Sequence, residues 1–340
     1  MERIPQLDGL RAMAILMVFA THAFHAPLLW TGVDLFFVLS GYLITRILLG
    51  LKEQREHRGY WIPFYWRRAC RILPPYAVFL AVIACSFAVD WRHLWYWYAF
   101  FMANMVVAFH KGGIDAMTPL WSLAVEEQFY LFWPWVVLFC RKRTIIRIAA
   151  GAILICPILR ALATPFFANH FPIYCLTPFR TDALAMGAFV AVSELQEPGW
   201  IAGKRRLAAG ACCAAFALLG VLSFLPSFRT GANSVVFNTV GYSLSTLFFG
   251  GTLVFVLGMR GGLLQNLLSS APVRYIGRIS YTFYLYHLAV FLKVAQYMHV
   301  RVLNQALSFA ITLILADLSW RFMESPILRR RTQKEKPSLA

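Results

Sequence analysis

Apolar residues run in eleven long stretches, near 12–30, 33–51, 72–90, 94–110, 119–140, 147–166, 179–195, 207–225, 237–258, 279–299 and 303–321, with short basic clusters between them. Most are about 18 residues or longer, the length an α-helix needs to cross a bilayer core. Lipid offers no partner to backbone N–H and C=O groups, so such stretches are read as helices. The pattern predicts an all-α fold, a polytopic integral membrane helix bundle. One stretch differs: 94–110 is crowded with Trp95, Tyr96, Trp97, Tyr98, Phe100 and Phe101, rings suited to a membrane interface.

The basic clusters set the number and direction of the crossings. Lys52, Arg55, Arg58, Arg67, Arg68 and Arg71 follow the second stretch, and Arg141, Lys142, Arg143 and Arg147 follow the fifth. Lys204, Arg205 and Arg206, then Arg260, Arg274 and Arg278, then a tail from Arg329 to Lys336 complete the set. Lys and Arg accumulate on the cytoplasmic side of membrane spans. If all eleven stretches crossed, the cluster at 141–147 and every later one would fall outside. If 94–110 lies at the outer face or re-enters, every cluster is cytoplasmic. About ten transmembrane helices with both termini in the cytoplasm are therefore expected. Residues 1–328 form one transmembrane domain and 329–340 a basic cytoplasmic tail.

Composition removes the soluble alternatives. Of 340 residues, 60% are hydrophobic and 14% charged, against about 25% charged in soluble domains. A formal charge of +17 on a soluble surface would suggest a nucleic-acid partner. Distributed between apolar spans, it reads as orientation signal, and no nucleic-acid partner is expected. The seven cysteines lie in or beside spans at no metal-ligand spacing, so neither a metal nor a disulfide framework is expected. The N-terminal run is too long for a cleavable signal peptide. There is no convincing internal repeat, phosphate-binding glycine loop, zinc-protease helix or nucleophile elbow.

Ionisable groups within spans carry the candidate chemistry, since each costs about 2.5–3.5 kcal/mol at the bilayer centre. Arg11 and His22 are eleven residues apart, nearly three helical turns, so both project from one face about 16 Å apart along the axis. That stripe carries a cation at the cytoplasmic mouth and, about halfway across, an imidazole able to act as general base. The bland alternative is that Arg11 snorkels to headgroups and His22 bonds a neighbouring helix. Arg67, Arg68 and Arg71 precede the third span and suit a polyphosphate, although they serve equally as a positive anchor. Glu126 and Glu127, adjacent within a span, point about 100° apart and need different partners. Arg180 and Asp182 are expected to neutralise each other, and Asp317 to pair with Arg321 at i+4. His287 ends a tyrosine-rich stripe and reads either as a cavity residue or as a bonded core histidine.

Several ordered motifs then resemble the acyltransferase-3 family of bacterial membrane O-acyltransferases over essentially the whole chain. They are Leu-Asp-Gly-Leu-Arg at 7–11 with His22, the Gly-Val-Asp-Leu-Phe-Phe run from 32, and Phe-Tyr-Trp-Arg-Arg-Ala-Cys-Arg at 64–71. The most specific is Leu-Trp-Ser-Leu-Ala-Val-Glu-Glu-Gln-Phe-Tyr at 120–130; echoes follow at 179–187, 279–287 and Glu324-Ser-Pro. The resemblance implies an O-acetyltransferase of the bacterial inner membrane, of the stand-alone type without a hydrolase-like domain. It would move an acyl group, usually acetyl, from cytoplasmic acyl-CoA to a sugar hydroxyl of a cell-envelope polysaccharide or its lipid-linked precursor. Some relatives modify small secondary metabolites instead, and a transporter or flippase of lipid-linked saccharides is the alternative of a different class. In the expected mechanism Arg11, Arg67, Arg68 and Arg71 hold coenzyme A, and His22 deprotonates the acceptor or relays the acyl group. Glu126 or Glu127 orients the imidazole or Arg11, and Ser122 or Tyr130 stabilises the oxyanion.

Overall fold

The computed structural model describes residues 4–26, 28–54, 58–225, 228, 231 and 233–334. Arg55 and the end of the basic tail, Lys336 included, lie outside that set. Every regular element within it is a helix. In chain order these are α1 (Pro5–Phe24), α2 (Gly32–Gln54), α3 (Arg58–Ser86), α4 (Trp91–Ala99), α5 (Ala103–Ala108), α6 (Leu120–Phe139), α7 (Lys142–Ala163) and α8 (Phe171–Cys175). There follow α9 (Thr181–Gln196), α10 (Trp200–Leu222), α11 (Tyr242–Leu257), α12 (Leu263–Ser269), α13 (Ala271–Ala295), α14 (Arg301–Ser319) and α15 (Ser325–Lys334).

Among the described residues, seven segments are long and apolar enough to cross a membrane, those built on α1, α2, α3, α7, α10, α11 and α14. The sequence pattern predicts about ten. The difference lies in α6, α9 and α13. Helices α6 and α13 have 20 and 25 residues, about 30 Å or more at 1.5 Å per residue, but their inward faces are polar and dilute their hydropathy. Helix α9 has 16 residues, about 24 Å. The aromatic stretch 94–110 breaks into α4 and α5, neither long enough to cross alone. Phe101 takes φ 53° at the break. Its carbonyl accepts from Gln128 Nε2 at 3.1 Å, and Thr177 Oγ1 donates to Gln128 Oε1. A polar side chain on α6 thus satisfies backbone that the break leaves unpaired.

Burial separates core from periphery. Of the apolar window in α2, 78% is buried, against 17% in α10, so α2 is central and α10 peripheral. Leu154, Phe132 and Phe216 are among many large exposed apolar side chains, a surface that lipid covers at no cost and water would not.

Small residues set the close approaches. A Cβ on Gly41 would strike the Leu184 carbonyl, and one on Gly187 the Val38 carbonyl, so α2 and α9 touch backbone to backbone. In the same way Gly277 of α13 sits on the Asp8 carbonyl of α1. Further along, Phe19 meets Phe283 at 5.9 Å and His22 meets His287 at 5.0 Å between ring centroids, so α1 and α13 run in the same direction. Replacing Gly187 with isoleucine should force α2 and α9 apart and cost roughly 1–3 kcal/mol, the usual range for overpacking. Thermal unfolding in detergent measures this, and an unchanged midpoint would show that the close approach does not hold the pair together.

Candidate active site

Side chains from five helices build one cleft of about 60 Å³. Ser122, Glu126 and Tyr130 recur every fourth residue on α6, and so share a face. Ser280 and Tyr284 do the same on α13. Arg68 and Arg71 come from α3, Arg11 from α1, and Ser40 from α2, completing the polar lining. Three guanidinium groups against the Glu126 carboxylate leave the cleft cationic.

The contacts fix most of these side chains. Ser40 Oγ donates to Glu126 Oε1 at 2.5 Å. The Arg68 guanidinium lies 4.5 Å from the Tyr130 ring centroid, a cation–π contact that leaves its N–H edge free to turn toward a ligand. Ser122 Oγ and the Tyr284 hydroxyl are 2.6 Å apart, and the Tyr284 hydroxyl also donates to the Pro119 carbonyl at 3.0 Å.

One turn beyond Tyr284 on the same face lies His287, fully buried. Its Nδ1–H donates to the Tyr284 carbonyl at 2.6 Å, since a carbonyl only accepts. Its Nε2 is 3.3 Å from His22 Nδ1, which also stands 3.0 Å from the Val18 carbonyl. The chain Ser122–Tyr284–His287–His22 therefore runs from the cleft to the far end of α1. His22 is not a wall residue of the cleft.

The structure changes several expectations drawn from spacing. His22 is not midway along α1: the helix ends at Phe24, so the imidazole sits in its last turn, and Arg11 lies about 9 Å inside the other end. The apolar stretch read from 12 to 30 is interrupted because the chain leaves the helix after Phe24, His25 adopting φ 52°. Glu127 and Arg67 stand outside the cleft. Glu127 Oε1 is buried without a hydrogen-bond partner, and the 100° turn from its neighbour explains why only Glu126 reaches the cavity. Arg180 and Asp182 do not pair with each other, because residues two apart on a helix diverge. Arg180 instead bonds Asp34, and Arg160 Nη1 donates to Asp182 Oδ2 at 2.8 Å. The Asp317–Arg321 pair is present at 2.9 Å.

Ser40, Tyr284 and the Asp34–Arg180, Arg160–Asp182 network were not singled out by spacing. The three- and fourfold rhythm 280–284–287, beside 122–126–130 on α6, is the signal that locates Tyr284. Nothing local reveals Arg160, one cation in an apolar span whose partner is 22 residues away.

Comparison with known proteins supplies a family. A family model described as an acyltransferase domain matches residues 4–321. The peptidoglycan O-acetyltransferase OatA of Listeria monocytogenes is 27% identical over 353 residues, covering 95% of this chain and 56% of that protein. The O-acetyltransferase OatA of Staphylococcus aureus is 28% identical, covering 96% and 57%. A putative peptidoglycan O-acetyltransferase, YrhL of Bacillus subtilis, is 30% identical, covering 97% and 55%. The chain spans about half the length of the curated relatives it matches. No solved structure matches it significantly.

Proposed function

The chain belongs to the acyltransferase-3 family, and on that basis we propose that it moves an acyl group, acetyl in the first instance, from acyl-coenzyme A to a hydroxyl of a cell-envelope glycan or its lipid-linked precursor. The observation that carries this reading is the convergence of Arg11, Arg68 and Arg71 in one cleft, the chemistry that binds a polyphosphate. The relatives bearing the name peptidoglycan O-acetyltransferase support the acceptor class.

Helix directions support a cytoplasmic donor and cytoplasmic termini in the inner membrane. Lys52 at the end of α2 donates to the Val137 and Cys140 carbonyls at the end of α6, and Lys142 at the start of α7 pairs with Glu53 at 2.9 Å. Arg205 near the start of α10 donates to Gly258 after α11. These clusters collect at the end of the bundle that holds Arg11, as the positive-inside rule expects of a cytoplasmic face.

In this reading the phosphates of the donor rest on the arginines and the thioester extends along α1 toward His22. His22 Nε2 takes the acceptor's hydroxyl proton as the new ester O–C bond forms. The thioester C–S bond then breaks, and the leaving thiolate is protonated from the imidazolium. Ser122 or Tyr130 stabilises the oxyanion, and Glu126, held by Ser40, keeps the guanidinium groups in place. Arg67 and Glu127 act from outside the cleft.

Binding of acetyl-coenzyme A to the purified protein tests this directly. Arg71→Ala should weaken binding by about 10- to 100-fold, since a charge-assisted hydrogen bond is worth about 1.5–3 kcal/mol. A protein that bound lipid-linked saccharide and no acyl-coenzyme A would be a transporter, and the proposal would fall.

A further inference from the structure

Of two histidines that meet beyond the cleft, near the end of α1, one has every ring nitrogen accounted for. His287 is fully buried on α13 and its Nδ1 faces the Tyr284 carbonyl at 2.6 Å. That contact requires a proton on Nδ1, so the neutral ring presents a bare lone pair at Nε2. The lone pair points at His22 Nδ1 from 3.3 Å, and the Val18 carbonyl faces the same atom from 3.0 Å. Two acceptors thus surround His22 Nδ1, which must carry the hydrogen, and the basic lone pair of His22 is left on Nε2.

From this geometry we infer that His287 is the positioning residue of the site: a neutral histidine, standing where a carboxylate stands in a catalytic triad, that holds His22 in the tautomer with a basic Nε2. The inference rests on His22 being the proton acceptor. A carboxylate next to the imidazole would be costly among apolar helices unless paired. A neutral imidazole supplies an acceptor without adding a charge. When His22 gains a proton on Nε2, its Nδ1–H remains bonded to His287 and Val18, so the cation forms with its second N–H already satisfied.

The position of the pair follows from packing. Gly277 lets α13 meet α1 at the Asp8 carbonyl; Phe19 packs edge-on against Phe283 and Phe309 above it. Gln305 Nε2 of α14 donates to the Ala23 carbonyl at 2.6 Å, fixing the end of α1 next to His22. Three helices therefore hold the two rings, and the orientation does not depend on the mobile end of a long side chain.

The test compares three proteins in detergent with acetyl-coenzyme A and a glycan acceptor. His287→Phe keeps a ring but removes the acceptor, and should lower kcat by about 10- to 100-fold, as loss of a residue supporting a reactive histidine does. Affinity for acetyl-coenzyme A should stay native, because the arginine cleft is untouched. His287→Gln places an amide oxygen near the lost Nε2 and should recover at least several-fold over the phenylalanine variant. A shape-filling role predicts the reverse order. Nitrogen-15 spectra of histidine-labelled native protein read the tautomer without any variant: His22 should show a protonated Nδ1 and a bare Nε2. A protonated Nε2 on neutral His22, or native kcat in His287→Phe, overturns the inference. If His22→Ala kept its activity, the underlying reading would fail instead, and the two failures are told apart by that variant.

Discussion

Replacing His22 with alanine should abolish acyl transfer while leaving a folded protein that still binds acetyl-coenzyme A. A positioned general base contributes about 10²- to 10⁴-fold, equivalent to roughly 3–5 kcal/mol of transition-state stabilisation. Neither neighbouring candidate can replace it: Glu126, in the cleft, is engaged by Ser40 and shares that cleft with three arginines, while His287 has both nitrogens committed. Stability should fall by only about 1–3 kcal/mol, the cost of leaving the buried Nε2 of His287 without its partner, because His22 itself is partly exposed in the last turn of α1. Acetyl transfer and donor binding, measured on the same preparation, separate the two effects. Lost binding together with lost transfer would mean that His22 shapes the donor site, and undiminished transfer would remove it from the chemistry.

Asp34→Asn should destabilise the bundle far more than it disturbs catalysis. Arg180 is buried, bonds Asp34, and has its guanidinium carbon 4.4 Å from the Tyr242 ring centroid and 5.4 Å from that of Tyr174. Asp34 also accepts from Ser245 Oγ at 2.6 Å. Removing the carboxylate leaves a guanidinium among helices with no anion in contact; breaking such a pair costs about 3–5 kcal/mol. Asp182 belongs to Arg160 and cannot serve both arginines. The double variant Asp34→Asn, Arg180→Gln should recover much of the loss, because no unpaired charge remains. Unfolding in detergent of the native protein, both single variants and the pair gives the coupling directly. Equal midpoints for the native protein and Asp34→Asn would show that aromatic rings and backbone alone hold Arg180.

The residues by themselves determined the class of protein. Apolar runs of spanning length allow only helices in lipid, and the basic clusters give those helices an expected direction. The Arg11–His22 stripe and the Arg68, Arg71 pair were legible because helical spacing puts residues on one face whatever the helix packs against, Glu126 because an acid within a span stands out, and Ser122 only through the family resemblance. Helix ends were less legible: hydropathy continues past Phe24 although α1 does not, which puts His22 in the last turn of the helix. Tertiary structure alone decided who meets whom. Glu126 rather than Glu127 enters the cleft, Asp34 rather than Asp182 holds Arg180, and His287 rather than a carboxylate faces His22, because a side chain's partner depends on the rotation and depth of a helix far away in the chain. Those are set by where glycines let backbones touch, as at Gly41, Gly187 and Gly277. Local periodicity carries the face a residue occupies; only packing carries what that face is turned toward.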